Sequence, residues 1–317
     1  MLSQGWASLE GLEELGDLRH QPRSQVEIRH GLVHPPRVPA EMPSVLLLIP
    51  AYNEERRIEP VLRDYAQHFR AHYPGAFKLV VLMNGCVDGT AGVVARVTRD
   101  FPEVTALNFP DRIGKGGALI EGLKLAPEAD LIGYVDADGA TAPPAFQELV
   151  RRCNQVDCVI GSRWLPGAVL HVAQSGQRRF FSRVFHALVE LLFQMHIADT
   201  QCGAKVMRRK AVETIHRSLW IADMAFDINL LYALKRAGFS ILEVPTEWTD
   251  KLGSKVGLGR ASFAWFLSVV RLRLVHSPFY LWLRPLRPVE LWLYRKLGSP
   301  APRSSRDAQQ PGGHPSA

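Results

Sequence analysis

The chain has 317 residues, 47% of them hydrophobic, enough for one large domain or two small ones with a real core. Four cysteines (Cys86, Cys153, Cys158, Cys202) form no C-x-x-C pair and no zinc spacing. That excludes a zinc module or a disulfide scaffold and reads as reduced cytosolic thiols. The net charge of +7 is localised. No acidic residue lies between Asp250 and Glu290, whereas Lys251, Lys255, Arg260, Arg271, Arg273, Arg284 and Arg287, seven residues, equal the whole excess. Such a block implies an anionic partner: phosphate, a membrane surface or nucleic acid.

The N-terminus shows no basic region followed by an apolar one, so no signal peptide is expected. No window reaches 18 uncharged apolar residues, so no spanning helix is expected either. Residues 1–43 read as a peripheral extension: a short amphipathic stretch, Leu9 to Leu18, precedes a Pro-rich linker, His30 to Pro43. From Ser44 strands and helices alternate, which predicts a mostly parallel sheet. The order is strand Ser44–Ile49, helix Glu54–His72, strand Phe77–Met83, helix Gly89–Asp100 and strand Val104–Asn108. A helix then opens after Gly114-Lys115-Gly116-Gly117, followed by strand Asp130–Val135, helix Pro143–Asn154 and strand Asp157–Ile160. The second half is less regular. Arg178–His196 carries an apolar stripe at helical spacing, Asp223–Ala237 reads as a helix and Phe239–Val244 as a strand. Residues 258–298 interleave aromatic and basic side chains, and 299–317, rich in Pro, Ser, Gly and Gln, has a disordered composition.

Three strand ends carry chemistry. The run from Leu131 to Val135 ends in Asp136-Ala137-Asp138, two carboxylates that share a face at the sheet's carboxyl edge. Two hard oxygen donors there suit Mg²⁺ or Mn²⁺ carrying a substrate diphosphate. An acidic turn after a strand is the structural alternative. The first strand ends in Ile49-Pro50-Ala51-Tyr52-Asn53-Glu54-Glu55. Pro50 should stop it, Asn53 should cap the next helix and Tyr52 can stack on a base. The second ends in Asn84-Gly85-Cys86-Val87-Asp88-Gly89-Thr90, where Asn84 offers donor and acceptor to a nucleobase edge and Asp88 a helix cap.

IPAYNEE, NGCVDGT, GKGGA and YVDADGAT, in that order on successive strand ends, resemble the inverting family-2 glycosyltransferases of the GT-A fold. Val159 to Arg163, Asp199 to Lys205 (DTQCGAK), Ala225 to Tyr232 (AFDINLLY), and Glu243-Val244-Pro245 with Gly253-Ser254-Lys255 narrow the resemblance to dolichyl-phosphate β-glucosyltransferases, relatives of dolichyl-phosphate mannose synthases. It covers roughly residues 44–257, the expected GT-A domain.

The resemblance implies that Pro50, Ala51, Tyr52 and Glu54 line a nucleoside pocket and that Asp136 and Asp138 hold metal and sugar nucleotide. Lys115 and Arg163 would supply positive charge near phosphates. Asp227 falls where many members keep a base. Asn84 and its neighbours depart from the paired acids and serine usual there, leaving the nucleobase open. Met224 and Asn229 depart from the usual aromatic and Glu, leaving sugar and acceptor open.

Arg178, Arg179 and Arg183 crowd the first turns of a helix, where cations oppose the dipole unless a phosphate is held there; Ser182 adds a donor. A solvated basic end is the other reading. With Arg163, Lys251 and Lys255 these residues make the expected acceptor-phosphate site. The aromatic-basic segment reads as a membrane-surface contact, since no RNA-binding signature accompanies it. The expectation is transfer of a hexose, glucose from UDP-glucose, to a polyprenyl monophosphate, by a protein peripheral to the cytoplasmic face of a membrane and without a nucleic-acid partner. The alternatives are another acceptor, sugar nucleotidyl transfer, or nucleotide-sugar binding without turnover.

Overall fold

The computed structural model describes residues 29–30, 42–170, 176–219, 221, 223, 225–249 and 258–275, with the backbone alone at 29–30, 176–182, 258–265 and 275. An eight-stranded sheet is built from β1 (Arg29–His30), β2 (Val45–Ala51), β3 (Phe77–Asn84), β4 (Val104–Phe109), β5 (Leu131–Tyr134), β6 (Cys158–Ser162), β8 (Lys205–Arg208) and β9 (Ile241–Pro245). A separate parallel pair joins β7 (Val169–Leu170) to β10 (Glu247–Trp248). The sheet order is β1-β9-β6-β8-β5-β2-β3-β4, and every pairing is parallel except the two made by β8.

The helices are α1 (Ile58–His72), α2 (Thr90–Asp100), α3 (Lys115–Gly122), α4 (Pro143–Arg152), α5 (Gly176–Phe193), α6 (Arg209–Ile215), α7 (Phe226–Arg236) and α8 (Leu258–Val275). β2 is apolar throughout because both its faces are covered, the pattern of a central parallel strand. Leu46 and Leu48 join a core with α3, α6 and α7, while Val45, Leu47 and Ile49 join another with α1, α2 and α4. Each fully buried leucine there stabilises by about 1.5–3 kcal/mol.

Two reciprocal clamps fix strand register at the end opposite the site. Asp130 Oδ2 accepts from the Ser44 N–H (2.9 Å) and hydroxyl (2.7 Å), tying β5 to β2. Asp157 Oδ2 does the same for Ser240 (3.0 and 2.7 Å), tying β6 to β9. With the strand starts aligned, the parallel strands end together on one edge.

Several expectations change in detail. β2 runs through Pro50 to Ala51 rather than stopping. Leu48 O bonds Val135 N, so alternate residues, Pro50 included, direct their backbone groups toward β5, which has already ended at Tyr134. The missing N–H therefore costs no ladder bond. α1 begins at Ile58, four residues later than expected. Asn53 adopts φ 54°, and its Oδ1 accepts the Val87 N–H at 2.9 Å instead of capping the helix. Asp88 is not the cap residue either: Gly89 takes that position, and Asp88 Oδ1, one residue before it, accepts the Thr90 N–H at 3.0 Å. α3 starts at Lys115, so Gly116 and Gly117 lie inside its buried first turn. Arg29–His30, within the extension, adds a short edge strand beside β9.

Among the described residues, no helix is long and apolar enough to cross a membrane. The stripe on α5 divides: Phe185, Leu188 and Leu192 pack on the core, whereas Val184 and Leu191 face outward. α8 buries Ser268, Val269 and Leu272 and exposes Phe266 and Leu274. The Ser268 hydroxyl donates a hydrogen bond to the half-buried Asp223 carboxylate.

Candidate functional site

The carboxyl edge of the parallel strands gathers the loops after β2, β3, β5 and β6. Because β8 is antiparallel, its first residue, Lys205, and the preceding segment 199–204 arrive at the same edge. Lys205 pairs in register with Tyr134 on one side and Ile160 on the other.

Four charged side chains meet there. Lys115 Nζ lies 2.5 Å from Asp136 Oδ1 and 3.8 Å from Asp227 Oδ2. Lys205, wholly buried, donates to Asp227 Oδ1 at 2.6 Å and to the Cys202 carbonyl at 2.6 Å. The Tyr134 hydroxyl also donates to Asp227 Oδ1. Burial acts to raise the Asp227 pKa, but Lys205 and Lys115 outweigh it and hold the carboxyl below its ordinary range. Burial acts to lower that of Lys115, but Asp136 and Asp227 outweigh it and hold the amine above its usual range. Asp138 goes the other way: burial first, then the charge of Asp136, push its pKa up, although its Oδ1 accepts the Ala140 N–H at 2.9 Å.

Asp136 is held close by a glycine. A Cβ on Gly203 would sit 2.1 Å from Asp136 Oδ2, so a side chain here would force the carboxylate to move. Gly203→Ala is expected to displace the carboxylate and cut turnover roughly tenfold to a hundredfold with the fold retained, the scale of an ångström-level misplacement. Steady-state kinetics with a melting curve checks it; unchanged turnover in a folded variant rejects the role of the contact.

The loop after β2 lies alongside. Glu54 receives both arms of Arg57 at 2.8 Å, and its N–H donates to Thr90 Oγ1 at 2.8 Å. Burial raises the Glu54 pKa despite Arg57. Tyr52 is half-exposed, with the Arg112 guanidinium 4.4 Å over its ring. Ala51 is buried, and its carbonyl accepts from the Cys86 thiol. Asn84 is buried too, and its Oδ1 accepts the Ile113 N–H at 2.8 Å, fastening the loop before α3. Gly85, at φ +64°, lets the Arg112 backbone approach: an added Cβ would lie 2.8 Å from Arg112 N.

Arg163 begins the loop after β6. Its Nε and Nη2 grip Asp199 at 2.7 and 2.9 Å, and its backbone N–H adds a third bond at 3.0 Å. The guanidinium lies 4.9 Å over the Trp248 ring. Asp199 and Ala198 in turn donate their N–H groups to the buried Glu243 at 2.9 and 2.7 Å. Burial would raise the Asp199 pKa, but Arg163 outweighs it and holds it low. This fork uses two of the five guanidinium N–H groups.

Arg163→Ala should therefore destabilise the fold by about 2–3 kcal/mol at neutral pH, less than a fully buried pair because Arg163 keeps some solvent contact. The folded pKa of Asp199 lies below the unfolded value of about 3.9, so the pair's contribution is present above that pH and lost as pH falls through the folded value. The stability gap between wild type and variant should narrow below about pH 4 in urea titrations. A gap constant to about pH 2.5 excludes the assignment.

Sequence reasoning passed over Lys205, Tyr134, Asp199 and Glu243. Lys205 and Asp199 stand in the DTQCGAK segment, but nothing local shows that a lysine in a strand is buried. Asn229, wholly buried, braces the approach to α7: Oδ1 accepts the Ile221 N–H at 3.1 Å and Nδ2 donates to the Ser218 carbonyl at 3.2 Å. Arg178 and Ser182 fall in the first turns of α5, but their side chains lie outside the described residues, as do Lys251 and Lys255.

The mostly parallel α/β sheet with an acidic pair at its carboxyl edge is an arrangement this chain shares with the nucleotide-diphospho-sugar transferase fold. The glucosyl-3-phosphoglycerate synthase of Mycobacterium tuberculosis, solved with Mn²⁺, UDP and phosphoglyceric acid, shares this fold: TM-score 0.55 at 19% identity, over 73% of this chain and 78% of that one. Residues 46–215 match the family model for Glycosyl transferase family 2, and the chain belongs to that family. Glycosyltransferase AglD of Haloferax volcanii is 33% identical over 68% of this chain and 35% of its own. Dolichyl-phosphate beta-glucosyltransferase ALG5C of Trichomonas vaginalis is 32% identical over 66% of this chain and 65% of its own. The chain thus spans about a third of the first relative's length and just under two thirds of the second's.

Proposed function

We propose that this chain is an inverting glycosyltransferase that moves glucose from UDP-glucose to a polyprenyl monophosphate. The observation that carries the reading is the cluster of Asp136, Lys115 and Asp227, beside Asp138, on the carboxyl edge of a family-2 sheet. The Trichomonas relative supplies the acceptor class and the Mycobacterium neighbour the uridine nucleotide.

The residues fit a divalent cation, Mg²⁺ or Mn²⁺. Asp136 and Asp138 are hard oxygen donors, and Asp138 is short of positive charge, its pKa being raised by burial and by Asp136. Two protein carboxylates leave the remaining positions to diphosphate oxygens and water, as Mg²⁺ requires. The bound ion supplies charge to the departing diphosphate.

The chain's own residues do the rest. Tyr52, with Pro50, Ala51, Glu54 and Asn84, forms the nucleoside side. Lys115 supplies positive charge to the diphosphate. Arg163, oriented by Asp199, and the basic groups Arg178, Ser182, Lys251 and Lys255 receive the acceptor phosphate. That phosphate is ionised near neutral pH, so Asp227 serves chiefly as a fixed anion that aligns Lys115, and alignment outweighs proton removal.

The outward Val184 and Leu191 of α5, Phe266 and Leu274 of α8 and the basic block after Asp250 favour docking at the cytoplasmic face of a membrane. The test is to incubate the protein with a panel of nucleotide sugars, Mn²⁺ and a polyprenyl phosphate, and to identify products by mass. Polyprenyl phosphate glucose formed from UDP-glucose is expected; pyrophosphate release, or transfer only to a soluble acceptor, overturns the reading.

A further inference from the structure

We propose that Lys115 is the resident counter-ion of the acidic pair in the ligand-free protein and is exchanged for the divalent cation, its ammonium passing to Asp227. The inference rests on the metal-dependent reading above and deepens it. Lys115 Nζ is 2.5 Å from Asp136 Oδ1. A divalent ion bound to that oxygen at about 2.0–2.2 Å would meet the ammonium as a like charge at close range. The two cations compete for this oxygen.

The surroundings decide which partner moves. Asp136 Oδ2 occupies the space that a Cβ on Gly203 would fill. Asp227 is pinned through Oδ1 by the buried Lys205 and by Tyr134, while Oδ2 faces Lys115 at 3.8 Å. A second anion is thus built within about one side-chain rotation of the first, and it is fixed whether or not Lys115 is on it. Lys115 itself stands on a flexible four-carbon stem. It is the first residue of α3, where the helix dipole disfavours a cation, so local helix energetics do not hold it on Asp136. The carboxylates hold it, and a stronger cation can replace it. Without nucleotide, the lysine therefore suppresses metal binding. The arriving diphosphate reverses the balance because it brings further oxygen ligands for the ion.

The experiment is Mn²⁺ binding by the full-length protein at neutral pH, read from the electron paramagnetic resonance of free Mn²⁺, with and without UDP. Melting curves confirm that each variant is folded. Without UDP, Lys115→Gln should bind Mn²⁺ about tenfold tighter than wild type. Lys115→Arg, which keeps the charge, should bind no tighter than wild type. With UDP, wild type should bind Mn²⁺ well. If Lys115→Gln gains nothing while wild type binds Mn²⁺ with UDP, the exchange is wrong and the metal reading stands. If neither protein binds Mn²⁺ even with UDP, both fall. If only Lys115→Gln ever binds it, the lysine replaces the metal permanently, and exchange is again excluded.

Discussion

Asp136→Asn and Asp138→Asn should each lower the proposed glucosyl transfer by about 10²–10³-fold, the loss seen when one preorganised charge-stabilising group is removed from an active site. Both carboxylates sit past the end of β5 and are only partly buried, while Val135 before them and Ala137 between them are buried in the core. The substitutions therefore remove donors without opening a cavity, and melting temperatures should stay close to wild type. Chelation should abolish the same activity, and Mn²⁺ or Mg²⁺ should restore it. Full turnover by a rigorously metal-free preparation would falsify the assignment of the pair.

Lys205→Met should produce the largest loss of stability, about 3–5 kcal/mol, read from the urea midpoint. Lys205 is wholly buried and Asp227 nearly so, joined at 2.6 Å, and removing the cation leaves the carboxylate to Lys115 and Tyr134. The desolvation already spent on Asp227 is then poorly compensated. The double variant Lys205→Met with Asp227→Leu should recover part of the loss, because removing both charges removes the desolvation cost as well. A single variant as stable as wild type would show that Asp227 takes up a proton or rearranges at little cost. The same variant should transfer more slowly, since Asp227 would no longer be held toward Lys115.

Much of the frame was readable from local pattern. The apolar runs 45–51, 77–84 and 131–134 are central strands because both faces are buried, and the 3.6-residue period of 58–72 marks a helix with one covered side. Element ends were less legible. The start of α1 depends on Asn53 adopting φ 54° and binding Val87, a contact across 34 residues. β8 is four residues long with a lysine and an arginine at its ends, so nothing in its composition separates it from a loop.

The two acids of D-x-D, the glycine-rich GKGGA segment and the placing of Pro50, Tyr52 and Asn84 at or near strand ends were determined by sequence, because strand periodicity and turn chemistry act over a few residues. The partners of those groups were decided only by tertiary structure. Lys115 meets Asp136 and Asp227, Lys205 is buried beside Tyr134, and Arg163 is locked by Asp199. The Lys205 and Arg163 contacts depend on the antiparallel β8, whose start reaches the carboxyl edge, whereas those of Lys115 join the start of α3 to the end of β5 and to α7. A charged residue reads as solvated until its burial and its counter-charge are both known. Both are properties of the packed sheet, so the same lysine is a surface group in the sequence and the centre of the site in the fold.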